Sequence, residues 1–214
     1  MDIPLLLKNM YGVDDELALL LVNKGVIKNV KKGNFIYYQD EWADSISIPL
    51  TGIFSFTPTC EDGGCIQYNL ISPGIIINEP QLILGGEFQN DVKAVTDAVI
   101  IQLPFSIAEV LMKESLGFVN MITMSLAKKQ RATLGLFNLR GEKDITHKVM
   151  RALQIISSIT ADGLVPVNII TLASLLCISR NTVGREIKRF IEDGEIIKDG
   201  SGYRLVEEQR QAAA

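Results

Sequence analysis

An α+β fold is predicted for this chain: an N-terminal antiparallel β-barrel of the double-stranded β-helix or jelly-roll type, a long dimerisation helix, and a C-terminal winged helix-turn-helix. Three observations predict it. Between residues 26 and 103 turn residues recur about every 10 to 12 positions and separate short runs rich in β-branched and aromatic residues, which is the rhythm of an antiparallel barrel or sandwich. From Phe105 to about Asn138 turn signals nearly vanish. Residues 168–191, NIITLASLLCISRNTVGREIKRFI, hold two short helical patterns that meet at a tight turn, the second opening on arginine.

Taken in order, the first 25 residues contain DDELALLLV and read as one or two short helices packed outside the barrel. The barrel's turns fall at Lys32-Gly33-Asn34, Gly52, Asp62-Gly63-Gly64, Pro73-Gly74, Gly85-Gly86 and Asp97, with FIYY, SISIPL, IFSF and AVIIQL among the strands between them. In the next segment Leu111, Leu116, Val119, Ile122, Leu126, Thr133 and Phe137 fall near helical spacing, so one long helix is expected, interrupted at Gly117, with a stripe able to pair with its twin in a second subunit. The expected domains are therefore residues 1–103, 104–140 and 141–214.

After Arg140-Gly141, Asp144 is placed to cap a helix over DITHKVMRALQIISSI, which Asp162-Gly163 ends. Asn168 can cap a first short helix carrying Leu172, Ala173, Leu175 and Leu176, and Ser179 a second whose buried face is Val183, Ile187 and Ile191. The opposite face carries Arg180, Asn181, Arg185, Lys188 and Arg189. Between 180 and 191 four basic residues stand against one acid, Glu186, a local charge of +3 in a chain of net charge -4. In the EDGEIIKDGSGYRLV that follows, Ile196 and Ile197 are expected to face Tyr203, Leu205 and Val206 across an Asp-Gly-Ser-Gly turn, the signal of a hairpin wing. The final QAAA reads as a tail.

At 214 residues the chain has room for two modest domains. A hydrophobic fraction of 47% and mean hydropathy of +0.22 fit a large core plus an apolar surface buried in a partner, and a homodimer is expected. No apolar run approaches the roughly 20 residues that cross a bilayer, and IPLLL is too short for a signal peptide's core, so a cytoplasmic protein without membrane contact is expected. The acidic balance, pI near 5.1, argues against indiscriminate coating of nucleic acid but leaves room for a local DNA-reading surface. Three cysteines form no secreted disulfide framework. A single histidine and the lack of an HxH pair make a metal-centred active site hard to build. The chain is read as no enzyme and as needing no cofactor, with a barrel-based enzyme or a partner-binding module as the alternatives of another class.

Barrel, long helix and winged helix-turn-helix, in this order and at this length, resemble the Crp/Fnr family of bacterial transcription regulators over nearly the whole chain. ISRNTVGREIKRFIEDGEI is similar to the family's signature of Ser-Arg, two residues on Val, then Arg, followed by the glycine before the wing. In the barrel the matching pattern is Gly33, Asp44, Gly52, Asp62-Gly63, Pro73-Gly74, Glu79 and Thr96. The resemblance implies a homodimer that binds an inverted repeat in double-stranded DNA, with RNA polymerase a candidate partner. It implies that Arg180 and Arg185 read bases, most naturally guanine. Thr171, Ser179, Thr182 and Lys188 would contact phosphates. Asn181 stands where the family often has glutamate, and asparagine pairs with adenine, so a different operator is expected. Cys177 replaces the glycine frequent at the turn and is expected to be a small buried side chain there.

Family members that bind cyclic nucleotides present a Gly-Glu pair and an Arg-Ser pair. Here those positions read Asn78-Glu79 and Phe88-Gln89, and losing the arginine removes a charge-assisted pair to phosphate, so no cyclic nucleotide is expected. Three cysteines are one short of an iron-sulfur cluster, and His147, the one histidine, lies outside the barrel and reads as solvent-facing. Two signals stay open. One is a small, partly apolar organic effector between barrel and long helix, with Glu79 or Lys93 as polar anchors and Tyr68, Phe88 and Met124 as walls. The other is a thiol switch between Cys60 and Cys65, which flank a Glu-Asp-Gly-Gly turn.

Overall fold

The computed structural model describes the chain except residues 58–68, 161–162, 201 and 207–214. It divides into two compact units, one formed by Met1–Thr59 with Ile71–Gln130 and a second carried mainly by Arg131–Ala214.

The first unit opens with two helices, α1 (Ile3–Tyr11) and α2 (Asp15–Lys24). Each is started by an aspartate whose carboxylate accepts from the amide three residues on, Asp2 from Leu5 and Asp14 from Leu17, which satisfies one of the orphan donors of a first turn. Seven strands follow: β1 (Val26–Val30), β2 (Phe35–Tyr37), β3 (Ser45–Thr51), β4 (Phe54–Thr57), β5 (Asn69–Ile71), β6 (Asp91–Ala94) and β7 (Ala98–Pro104), with the short helix α3 (Glu79–Leu84) between β5 and β6. They form two antiparallel sheets, ordered β1-β7-β3 and β2-β6-β4-β5. The expected jelly-roll is thus an open pair of sheets rather than a closed barrel.

Alternation along β3 explains the layering. Ile46 and Ile48 lie opposite Leu103 and Ile101 of β7, and with Leu50 they pack with Leu7, Leu17, Leu21, Leu111, Phe118 and Ile122 in the main core of this unit. Ser45 and Ser47 point to the other face. There the Tyr37 hydroxyl meets Ser47 Oγ at 2.6 Å, and Gln102 Nε2 donates to Ser45 Oγ at 2.9 Å. Pro49 has no amide to give, and it is tolerated because β3 is an edge strand with a register shift between Pro49 and Thr51; its carbonyl accepts from the Tyr11 hydroxyl at 2.7 Å.

The long helical segment is broken, but not at Gly117. It forms α4 (Phe105–Glu114) and α5 (Leu116–Arg140) with extended Ser115 between them. Ser115 Oγ accepts from the Phe118 amide at 3.2 Å and so restarts the helix, while Gly117 lies inside α5.

The second unit contains the last turns of α5, then α6 (Ile145–Ile159), the two-residue strand β8 (Leu164–Val165), α7 (Ile169–Leu176), α8 (Arg180–Glu192) and the hairpin β9 (Ile196–Asp199) with β10 (Gly202–Leu205). Asp144 caps α6, accepting from the His147 amide at 3.1 Å. The sheet runs β8-β10-β9. Strand β8 is not legible in the sequence, because two residues carry no periodicity. It pairs with β10 so closely that a Cβ on Gly202 would collide with the Val165 carbonyl oxygen. In the wing, Ile196, Tyr203 and Leu205 turn inward. Ile197 and Val206, expected on the same face, are exposed, since neighbours on a strand must point to opposite sides.

Candidate nucleic-acid interface and sensor region

Helix α7 begins where Asn168 accepts from the Thr171 amide at 2.9 Å, and it buries Leu172, Ala173, Leu175 and Leu176. It ends at Cys177, which takes the left-handed conformation, φ 53° and ψ 43°, while the amides of Cys177 and Ile178 reach back to Ser174 and Ala173. This is the glycine-type helix end made with a Cβ, at a cost of about 1 kcal/mol. The expectation that the thiol is buried is corrected: Cys177 is exposed, because a left-handed residue leaving a helix projects away from it.

Ser179 then starts α8. Its Oγ accepts from the Thr182 amide at 3.1 Å and lies 2.8 Å from the Thr182 hydroxyl. The buried face of α8 is Val183, Glu186, Ile187 and Phe190. Ile191, expected inside, is exposed, and Phe190 is buried to 1%. The stripe closes at i+7 rather than i+8, because a helix of 3.6 residues per turn brings Phe190 to within about 20° of Val183 and leaves Ile191 about 80° away.

On the other side of α8 the side chains of Arg180, Asn181, Arg185 and Lys188 are exposed. Their electrostatic surroundings differ from those of Arg189. Arg189 donates to Glu186 at 3.1 Å and lies 3.9 Å from Asp193, and buried Glu186 also accepts from the Thr146 hydroxyl of α6 at 2.9 Å. Arg189 therefore serves the fold. Arg185 approaches Glu186 only at 3.8 Å and Lys188 approaches Glu192 at 3.5 Å, exposed pairs that hold little energy and release easily. Thr171 and Thr182 are half-buried at the third positions of α7 and α8, and Ser179 is exposed. Sequence reasoning missed Glu186, whose partner Thr146 lies 40 residues away and carries no local signal.

Two further bonds fix the base of this motif. Buried Lys148 of α6 donates to the Arg140 carbonyl at 3.0 Å, and Arg140 donates to the Leu175 carbonyl at 3.4 Å. Cations thus satisfy the open carbonyl ends of α5 and α7, where helix dipoles favour positive charge.

The residues expected around an effector do not converge. Tyr68, like Cys60 and Cys65, lies outside the described residues. Lys93 points outward from β6 over the Phe35 ring at 5.1 Å, and Met124 is exposed on α5; alternation on β6 buries Val92 and Ala94 instead. Phe88 is buried against Tyr37, ring centroids 4.3 Å apart. Glu79 is fully buried and is bonded by Ser125 Oγ and Lys129 Nζ of α5, and Ser125 Oγ in turn accepts from the Ile76 amide. Neither Ser125 nor Lys129 was singled out from sequence, since a helix stripe does not reveal what its polar members meet. Burial pushes the Tyr37 hydroxyl up from its ordinary range, so Tyr37 stays a neutral donor. A cavity of about 180 Å³ opens elsewhere, lined by Asn29, Val30, Lys31, Thr51, Asp97, Ala98 and Val99. His147 is exposed and 3.3 Å from Glu142. Among the described residues no group of three or more His, Cys, Asp or Glu could hold a metal ion, and no described helix is long and apolar enough to cross a membrane.

Residues 27–115 match the family profile described as the cyclic nucleotide-binding domain. No curated protein sequence matches the chain. Solved structures do. FixK2 from Bradyrhizobium japonicum superposes with a TM-score of 0.73 at 18% identity, over 88% of this chain and 95% of that one. The c-di-GMP-responsive global regulator CLP from Xanthomonas campestris gives 0.71 at 16% identity, over 90% and 99%. A Crp-family transcriptional regulator from Thermus thermophilus gives 0.69 at 17%, over 87% and 94%. Residues 27–115 thus resemble the cyclic nucleotide-binding domain, and the chain as a whole shares its fold with solved structures of Crp/Fnr-type regulators.

Proposed function

We propose that the protein is a homodimeric, sequence-specific DNA-binding transcription regulator, controlled by a small organic effector other than a cyclic nucleotide. The observation that carries this reading is the split of α8 into a buried face of Val183, Ile187 and Phe190 and an exposed face of Arg180, Asn181, Arg185 and Lys188, opening at a capped N-terminus. The first turn of a recognition helix reaches base edges in the major groove. Arg180 and Arg185 read guanine, Asn181 reads adenine, and Thr171, Ser179, Thr182 and Lys188 hold phosphates. Such a protein acts on the chromosome in the cytoplasm, with RNA polymerase the candidate partner of the bound dimer.

A dimer seam is supported by α5. Leu116, Asn120, Thr123, Ala127, Gln130, Leu134 and Phe137 are all exposed, and their 4-3 spacing is that of a coiled-coil stripe. This replaces most of the stripe anticipated from hydrophobicity, since Ile122 is buried in the protein's own core. Two such subunits present recognition helices about 34 Å apart and so require an inverted repeat. The effector reading is supported by the tie between Glu79 and α5: a ligand that competes for Glu79 or Lys129 changes how α5 is held, which is the differential contact that coupling requires. Residues 33–92 contain no lysine or arginine, which leaves a cyclic phosphate without a cation from that segment.

Selection of sites from a random double-stranded DNA library, with and without Arg180→Ala, Arg185→Ala, tests the reading. An inverted repeat containing guanines is expected for the parent protein and is lost in the variant, whose exposed substitutions leave the circular dichroism unchanged. Equal enrichment by both proteins would sink the assignment.

A further inference from the structure

The segment 33–92 carries eight acidic residues and no basic one. Four of the acids, Asp40, Glu41, Asp44 and Glu87, are exposed, and backbone pairing gathers them. The Asp40 amide donates to the Phe88 carbonyl at 2.8 Å, the Phe88 amide to the Glu41 carbonyl at 2.8 Å, and the Ala43 amide to the Gly86 carbonyl at 3.3 Å. Trp42 is bridged to Glu87 at the centre of this pairing. Trp42 is the only tryptophan in the chain and is 74% exposed. Just before the pairing, α3 ends on exposed Ile83 and Leu84, the latter 84% exposed, and Gly85-Gly86 carries the chain from there to Glu87, the residue bridged to Trp42.

Scattered exposed apolar residues are ordinary. Here an exposed Trp and the most exposed leucine among the described residues flank one short loop pairing that also carries four exposed carboxylates and no cation in that segment. Tryptophan is over-represented among the residues that anchor protein interfaces. The carboxylates repel nucleic acid and anionic lipid, so the complement of this surface is a cationic polypeptide. We propose that the Trp42–Leu84 surface docks a protein partner through a basic segment carrying an apolar anchor. The anchor covers Trp42 and Leu84, and the lysines or arginines beside it meet Glu41, Asp44 and Glu87.

Trp42 is its own reporter. Full-length protein is titrated with a synthetic amphipathic peptide of Lys, Arg and Leu, and with two controls of equal length, one with Ser for every Leu and one with Gln for every basic residue. A blue-shifted, quencher-protected Trp42 emission is expected with the first peptide alone. Its affinity falls about tenfold or more in Leu84→Ser and in Glu41→Gln, Glu87→Gln, and is unchanged in Glu109→Gln, Glu114→Gln on α4. The proposal is overturned by silence of the emission into the millimolar range, by equal binding of all three peptides, or by binding that survives both patch variants. A blue shift that grows with protein concentration in the absence of peptide assigns the surface to a second copy of the chain and overturns it equally.

Discussion

The two compact units each bury a glutamate, and they do so under different electrostatic conditions. Residues 1–130 hold nine basic and fifteen acidic residues, a net charge of -6, whereas residues 131–214 hold twelve and ten, a net charge of +2. In the acidic unit Glu79 has no exposure, and its ionic partner Lys129 keeps only 15% of its side chain in solvent. In the basic unit Glu186 is nearly as buried, but its partner Arg189 is 45% exposed and also near Asp193. Both carboxylates tie one helix to another element. The first is closed on both sides; the second is open to water on the cation's side, so the same residue type has unequal weight in the two places.

The largest effect follows from that inequality. Removing one member of a buried pair leaves an uncompensated charge at a cost of about 3 to 5 kcal/mol. Glu79→Ala is therefore expected to destabilise the first unit by about that amount, and Glu186→Ala to cost the second only about 1 to 3 kcal/mol, the loss of partly exposed charged hydrogen bonds. Segment-resolved hydrogen exchange reads the two units separately. Adding Lys129→Met to Glu79→Ala should restore most of the loss, because an apolar replacement of a buried pair is often neutral. Equal destabilisation by the two alanine variants, or no recovery in the double variant, would remove the distinction between a closed and an open pair.

The next effect lies at the start of α8 and separates positioning from contact. Ser179→Ala removes the cap that accepts the Thr182 amide and should lower the stability of the second unit by about 1 kcal/mol. If Ser179 also meets phosphate, DNA affinity falls further than this loss explains, by a similar factor on all sequences, while its dependence on salt is unchanged because a neutral hydroxyl releases no counterion. A loss of DNA affinity no larger than the loss of stability in Ser179→Ala would confine the residue to capping.

What the sequence made legible divides along the same line. Asp144, Asn168 and Ser179 cap the helices they were expected to cap, because a cap bonds three residues away and its chemistry is written locally. The wing and the two helices of the motif follow for the same reason. Phe190 and Ile191 are both apolar neighbours at the edge of the stripe, and a repeat of four favours Ile191 where the true 3.6-residue period favours Phe190. The sequence marks Glu79 but not its closure by Ser125 and Lys129, and it shows Glu186 as one acid among bases without its tie to Thr146. These depend on side chains about 40 to 50 residues apart, brought together only by packing. Lys93 and Met124, anticipated as pocket residues, are exposed in the subunit, since the side of a strand or helix that faces in is decided by what covers it.

The smallest effect is a gain. Cys177 holds a left-handed conformation with a Cβ, and Cys177→Gly should stabilise the second unit by about 1 kcal/mol, partly offset by glycine's greater freedom in the unfolded chain. Since the thiol is exposed and its Sγ lies only 3.8 Å from the Ser174 carbonyl, little packing is lost. Thermal unfolding of the second unit checks the sign. A fall in melting temperature would mean that the Cβ and thiol contribute contacts larger than the strain they cause, and the turn into α8 would then be held by the side chain rather than merely tolerating it.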